Sequence, residues 1–183
     1  MSKARVITFT AFMCALSVVL TRFASFRIAV AGVEGIRLGL GTLPNILAGM
    51  ILGPIYGFMS GALADVVGYF LSPLGGAYMP HFTLTAALAG AIPSIVYRYL
   101  RRSSRDRNAA VSLARTITSL AFGAVVVSLG LTPFFLHSLF AMPYGALMPP
   151  RLIAVAIEVP VYAFLVRDVM TRLKSTGMYR HSE

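Results

Sequence analysis

The chain has 183 residues, of which 57% are hydrophobic and only 12% are charged. A soluble domain carries about 25% charged residues and could not hide so much apolar surface at this size, so the composition excludes an ordinary soluble enzyme and a disordered chain. The formal net charge of +10 does not indicate a nucleic-acid-binding protein either, because the basic residues lie at the ends of apolar runs, as in a protein embedded in a lipid bilayer.

The apolar runs predict six helices. A membrane-spanning helix needs roughly 20 residues, so six of them fit the chain and leave little room for a soluble domain. In chain order we place them over residues 6–21, 43–52, 55–71, 81–100, 109–130 and 151–166. We therefore expect an all-α integral membrane protein, a six-transmembrane-helix bundle that forms a single membrane domain over residues 1–183.

The connections differ in character. A glycine- and arginine-containing loop is predicted over residues 22–42, and a long apolar, proline-rich connection over residues 131–150. The second helix is too short to cross a bilayer straight, because Gly53-Pro54 ends it.

The basic residues orient the predicted bundle. With six spans, both termini lie on the same side as the second and fourth connections, and this side holds 12 of the 16 basic residues. The positive-inside rule therefore places both termini in the cytoplasm. The other side holds only four, which are Arg22, Arg27, Arg37 and Arg151.

Two carboxylates lie within the predicted spans, and intramembrane ionisable residues usually mark a functional site or a partner. Asp65 lies six residues before the outer end of its helix and Glu158 seven residues after Arg151, so both are expected about 10 Å below the outer surface. Together with Arg37 and Arg151 they predict an outward-opening polar pocket. The alternative is that both carboxylates form hydrogen bonds within the bundle or snorkel to the membrane interface.

Aromatic residues concentrate around the same outer face, where they would stack on a flat ligand or form an interfacial belt. They are Tyr69, Tyr78, Phe82, Phe134, Phe135 and Tyr144. In the first helix, Ala11 and Ala15 form a smooth stripe that lets another helix approach closely. Such a stripe alone more often serves internal packing than a partner.

Four segments, in this order and spacing, resemble the substrate-binding S components of energy-coupling factor (ECF) vitamin transporters, and more narrowly the folate-specific S-component family. They are Ile36-Arg37-Leu38-Gly39 with Leu43-Pro44, the segment GFMSGALADVVG over residues 57–68, Tyr78-Met79-Pro80-His81-Phe82-Thr83-Leu84, and Pro149-Pro150-Arg151-Leu152-Ile153 with Ile157-Glu158-Val159-Pro160.

The resemblance implies the six-helix S-component bundle, with one vitamin near the outer face of the cell membrane, capped by the first and third connections. It also implies partners, namely a membrane scaffold subunit and two cytoplasmic ATPase subunits, with Ala11 and Ala15 in the docking motif. No cofactor, metal or catalytic residue is expected. Where the family usually has a tryptophan and an asparagine, this chain has Phe134-Phe135 and Thr132.

The chemistry of folate suits the predicted pocket. Arginines pair bidentately with carboxylates, so we assign Arg37 and Arg151 to the glutamate tail or to loop closure. A buried carboxylate suits the aminopyrimidine edge of a pterin, so we assign Asp65 or Glu158 to that edge, and the aromatic rings, with Thr132, to the remaining pocket.

Three alternatives stay open at the level of sequence. The chain could be an S component for another vitamin, such as pantothenate or riboflavin. It could be a small intramembrane enzyme that uses Asp65 and Glu158 as an acid/base pair, although none of the common catalytic motifs is found in the sequence. It could also be a structural assembly subunit.

Overall fold

A computed structural model describes residues 3–23, 25–30, 33–71, 78–103 and 112–175, and describes the backbone alone for residues 25–30, 33–38, 174 and 175. Its α-helices are α1 Lys3–Phe23, α2 Leu43–Leu52, α3 Pro54–Leu71, α4 Pro80–Arg102, α5 Leu113–Ala124, α6 Thr132–Phe140 and α7 Tyr144–Ser175. A π-helical segment, Val125–Leu131, joins α5 to α6 without a break. The helices therefore form six continuous units, and the predicted six-helix bundle is confirmed.

Three predicted boundaries are wrong. The fifth helix continues to Phe140, and α7 begins at Tyr144 and runs to Ser175, so the connection predicted over residues 131–150 shrinks to residues 141–143. Ala141, with a left-handed φ of 50°, ends α6. The prolines suggested a loop, but Pro133 lies inside the continuous helical run, directly after the π-helical segment, and a local π adjustment accommodates the missing backbone donor of a proline in a membrane helix. Pro149 and Pro150 lie inside α7, as neighbouring helices allow in membrane proteins.

A β-hairpin occupies most of the loop predicted between the first two helices. Strand β1, Ser25–Val30, pairs antiparallel with β2, Val33–Gly39, with an irregularity between Ile28 and Ala29. The register pairs Ser25 with Gly39 and Arg27 with Arg37. A 3₁₀ turn, Leu40–Thr42, then leads directly into α2.

Glycines let α2, α3 and α4 approach closely. A Cβ atom added to Gly57 would lie 2.6 Å from the Gly90 carbonyl oxygen and 2.8 Å from the Cα of Gly49, distances that real Cβ atoms do not adopt. Small residues at membrane helix interfaces bring backbones together so that dispersion contacts stabilise the packing. These three glycines thus serve the internal packing of the bundle.

A buried polar chain ties α1, α2 and α3 to the segment that follows the hairpin. Ser60 donates to Asn45 Oδ1 at 2.7 Å, Asn45 Nδ2 donates to Ser17 Oγ at 2.9 Å, and Ser17 donates to the Gly41 carbonyl at 2.6 Å. The three side chains are at most 5% exposed. Since buried polar groups are stabilising only when their hydrogen bonds are made, this chain fixes the relative register of the three helices.

The outer surface of the bundle is apolar. Among the residues that the structure describes, three helical stretches are long and apolar enough to cross a membrane, namely Lys3–Phe23, Pro54–Leu71 and Leu113–Phe140. Large hydrophobic side chains on several helices point outward, such as Ile55 at 71%, Phe70 at 74% and Phe164 at 66% exposure. An exposed apolar surface of this extent fits lipid rather than water, so the protein is a membrane protein.

Candidate ligand-binding site

The last residue of the hairpin is held by α7. The backbone N–H of Gly39 donates to Glu158 Oε1 at 3.2 Å, and the Tyr162 hydroxyl donates to the carbonyl oxygen of the same glycine. Glu158 and Tyr162 are one helical turn apart on α7, so their side chains lie on one face. Arg37 precedes Gly39 by two residues in β2. Its backbone is therefore close to this anchor, and its side chain lies outside the described part of the structure.

Arg151 does not lie at a helix mouth, as the sequence suggested. It lies seven residues inside α7 with only 7% of its surface exposed, and its Nη1 donates to the Ser128 carbonyl at 3.4 Å. Ser128 belongs to the π-helical segment, and a π-helix leaves carbonyls outside the regular α-helical pattern, often at functional sites. Arg151 thus links α7 to this segment from inside the bundle.

The expectation that Asp65 and Glu158 lie at equal depth loses its basis. Asp65 is six residues from the end of α3, about 9 Å, but Glu158 is 14 residues from the start of α7, about 21 Å. Because α7 has 32 residues and is roughly 48 Å long, it exceeds the bilayer core of about 30 Å. The distance of a residue from either end of α7 therefore does not show how deep that residue lies in the membrane.

The predicted polar residues of α7, Arg151 and Glu158, nevertheless share one face with Leu147 and Tyr162. Leu147, Arg151, Glu158 and Tyr162 are separated by four, seven and four residues, which at about 100° per residue confines them to an arc of roughly 60°. This arc, which we call the inner face of α7, touches the hairpin end through Glu158 and the π-helical segment through Arg151. Leu147 packs in a buried cluster with Leu136 and Phe82.

Asp65 lies in a second polar group, between α3 and α4. The Thr83 hydroxyl donates to Asp65 Oδ2 at 2.7 Å, and the Tyr78 hydroxyl lies 2.7 Å from Thr83 Oγ1. The rings of Tyr69 and Tyr78 are 5.3 Å apart. Sequence reasoning found Asp65 and both tyrosines but missed Thr83, because no local pattern shows that a threonine on one helix faces a carboxylate on another.

The start of α4 connects the two polar groups. Phe82, next to Thr83, packs against Leu136, Met142 and Leu147, and His81 lies 5.1 Å from the ring of Phe135. The predicted residues Phe82 and Phe135 are therefore brought to the junction of α4, α6 and α7. Thr132 instead donates to the Val127 carbonyl in its own helical run, at 2.8 Å. Its contact with a ligand stays a prediction, as does that of every site residue named above.

The two alanines of the predicted docking stripe lie on the outside of the bundle. Ala11 and Ala15 are exposed, while Met13, Cys14 and Ser17 on the same helix are buried. The stripe therefore does not serve packing within the described part of the chain and remains available to another helix.

Comparisons with known proteins agree with this architecture. Residues 1–165 match the sequence profile of the family described as ECF-type riboflavin transporter, S component. The chain belongs to this family. Membership confirms the predicted resemblance and makes the protein a transporter component rather than an enzyme, so the acid/base interpretation of Asp65 and Glu158 is not supported.

Among its relatives, the S component resembles the folate transporter FolT of Clostridium novyi (strain NT), at 33% identity over 166 residues, 91% of this chain and 88% of the relative. The crystal structure of FolT bound with folic acid superposes with a TM-score of 0.69 at 29% identity, covering 88% of both chains. The structure of the S component of a bacterial ECF transporter superposes with a TM-score of 0.69 at 21% identity over 94% of this chain and 99% of the other, which supports the fold.

The anchor at Gly39 can be tested by replacing Tyr162 with phenylalanine. This change removes the hydrogen bond to the Gly39 carbonyl and keeps the ring, so it should cost roughly 1 kcal/mol of local stability. We expect amide hydrogen exchange in residues 33–39 to accelerate by about fivefold, measured by mass spectrometry on the detergent-solubilised protein.

Tyr99→Phe is the matched control, because Tyr99 is 73% exposed on α4 and should leave exchange in the hairpin unchanged. Equal exchange rates in the two variants would show that α7 does not hold the hairpin through Tyr162.

Proposed function

We propose that this S component is the high-affinity folate-binding subunit of an ECF-type importer in the cell membrane. The observation that carries the proposal is the likeness, over most of both chains, to a FolT structure that contains folic acid. A curated relative named as a folate transporter supports the same vitamin. Riboflavin is the second candidate, because the matching family profile carries its name.

The chemistry of the site favours folate over riboflavin. Asp65 is partly buried beside the aromatic pair Tyr69 and Tyr78, which suits the donor-rich edge and flat face of a pterin. Arg151 is buried on the inner face of α7 and Arg37 is in the strand that α7 anchors. Two guanidinium groups suit the two carboxylates of a glutamate tail, a feature that riboflavin lacks. We keep Arg37, Asp65 and Arg151 as the central ligand contacts and Glu158 as the residue that holds the hairpin.

The orientation follows from charge. The ends of α4 and α7 on the proposed cytoplasmic side carry Arg101, Arg102, Arg167 and Arg172, whereas the opposite side carries few basic residues. The positive-inside rule places both termini in the cytoplasm and the hairpin on the outside, where it would cap the vitamin together with the connection that precedes Tyr78.

Ligand-induced stabilisation tests the choice of vitamin. Folate at 100 times its dissociation constant should add roughly 2.7 kcal/mol to the stability of the folded state. We expect a clear rise in the melting temperature of the purified protein with folate and none with pantothenate or riboflavin at the same concentration. A rise in the melting temperature with riboflavin alone would contradict the folate assignment and identify riboflavin as the ligand.

Pteroate, which has the pterin but no glutamate tail, is the matched ligand control. It should bind more weakly than folate, because only folate offers carboxylates to the arginines. Equal affinities of the protein for pteroate and folate would show that the arginines do not contact the ligand.

Docking on a membrane scaffold subunit that is driven by two cytoplasmic ATPases is the second part of the proposal. The exposed stripe of Ala11 and Ala15 on α1 supports it, since small residues allow close approach of a partner helix. Ala15→Leu should leave folate binding unchanged, because the side chain points away from the bundle, and should abolish co-purification with the scaffold subunit and folate uptake by cells.

Phe12→Leu serves as the control for this variant, because Phe12 is 60% exposed on α1 and already bulky. It should dock and transport normally. Full transport activity of Ala15→Leu would exclude the stripe as the docking surface.

A further inference from the structure

The hydroxyl of Thr83 is used differently from those of other helical threonines. Several of these donate to a carbonyl of the preceding turn of their own helix, as in Thr8, Thr10, Thr85, Thr116, Thr118 and Thr171. Thr83 instead donates across to Asp65 on α3, at 2.7 Å. The hydroxyl therefore serves a contact between helices rather than the helix that carries it.

The direction of the hydrogen bonds in this group is determined by the chemistry of the partners. A carboxylate only accepts, so the single proton of the Thr83 hydroxyl is used on Asp65 Oδ2. Tyr78, 2.7 Å from the same oxygen, must then be the donor to Thr83. The result is a one-way chain from Tyr78 through Thr83 to Asp65.

This chain fixes the plane of the Asp65 carboxylate. The terminal torsion of an aspartate is broad and roughly two-fold, so an isolated carboxylate samples many orientations. A short hydrogen bond to Oδ2 selects one of them and aims Oδ1 in a defined direction. Tyr69, one turn further along α3, lies on the same face of that helix, and its ring contacts Tyr78, so the carboxylate is oriented beside an aromatic pair.

We infer that Thr83 is a positioning residue for ligand selectivity, which orients Asp65 so that the site prefers a heteroaromatic edge that carries hydrogen-bond donors. The inference rests on the proposed function and extends it to a residue that does not itself contact the ligand.

The test compares the affinity for folate with that for a 2-desamino analogue, which lacks the exocyclic donor at the pterin edge. The wild type should prefer folate. Thr83→Val removes the hydroxyl at nearly constant volume, and Thr83→Ser keeps it. We expect Thr83→Val to bind folate about tenfold more weakly than the wild type does. Its affinity for the analogue should be almost unchanged, so the preference for folate over the analogue should be lost. Thr83→Ser should restore it, and Tyr78→Phe should reduce it in part.

Thr118→Val is the matched control, because Thr118 is exposed on α5 and bonds only its own helix. It should keep the wild-type preference, and melting temperatures should confirm that each variant folds. If Thr83→Val weakens both ligands equally or changes neither, the inference is overturned while the folate assignment stands. If Thr83→Val does not fold, the inference is tested with Tyr78→Phe instead. A preference of Tyr78→Phe for folate over the analogue equal to that of the wild type would overturn the inference. A wild type that binds neither ligand overturns both.

Discussion

The structure depends on the way in which α7 holds a single residue at the end of the hairpin. Gly39 has one backbone donor and one acceptor, and both are bonded by side chains one turn apart on the same helix, Glu158 and Tyr162. A strand end that is held on both sides cannot move without α7. The hairpin, with Arg37 in its second strand, is thereby placed next to the helix that carries Arg151, so residues that are far apart in sequence contribute to one side of the proposed site.

The hairpin is also connected to α1, the helix that carries the proposed docking stripe. Gly41, two residues after the anchor, accepts a hydrogen bond from Ser17 on α1, and the buried chain continues through Asn45 to α3. On the other side, Phe82 and Leu147 join the start of α4 to the inner face of α7. The segment that would cap the vitamin, the carboxylate that would recognise it and the helix that would dock are thus connected by a continuous series of hydrogen bonds and packing contacts.

The sequence predicted the elements with local signals and missed those that depend on distant contacts. The boundaries of α2 and α3 were predicted well because Gly53-Pro54 must interrupt the helix between them. The prolines near residues 133 and 150 predicted a connection that is helical in the structure, since packed membrane helices tolerate such prolines through local π adjustments and neighbouring helices. The roles of Thr83 and of Gly39 could not be predicted, because each is defined by a partner more than 15 residues away. Arg151 was identified correctly as unusual, but the sequence placed it at the mouth of a helix, whereas it is buried inside α7.

The most direct test of the account is an experimental structure of the protein with folic acid bound. The account predicts the vitamin between the hairpin and the inner face of α7, with the pterin edge within hydrogen-bonding distance of Asp65 Oδ1 and the glutamate tail beside Arg37. Folic acid bound outside the space between α3, α4 and α7, or with its tail towards Asp65, would contradict it.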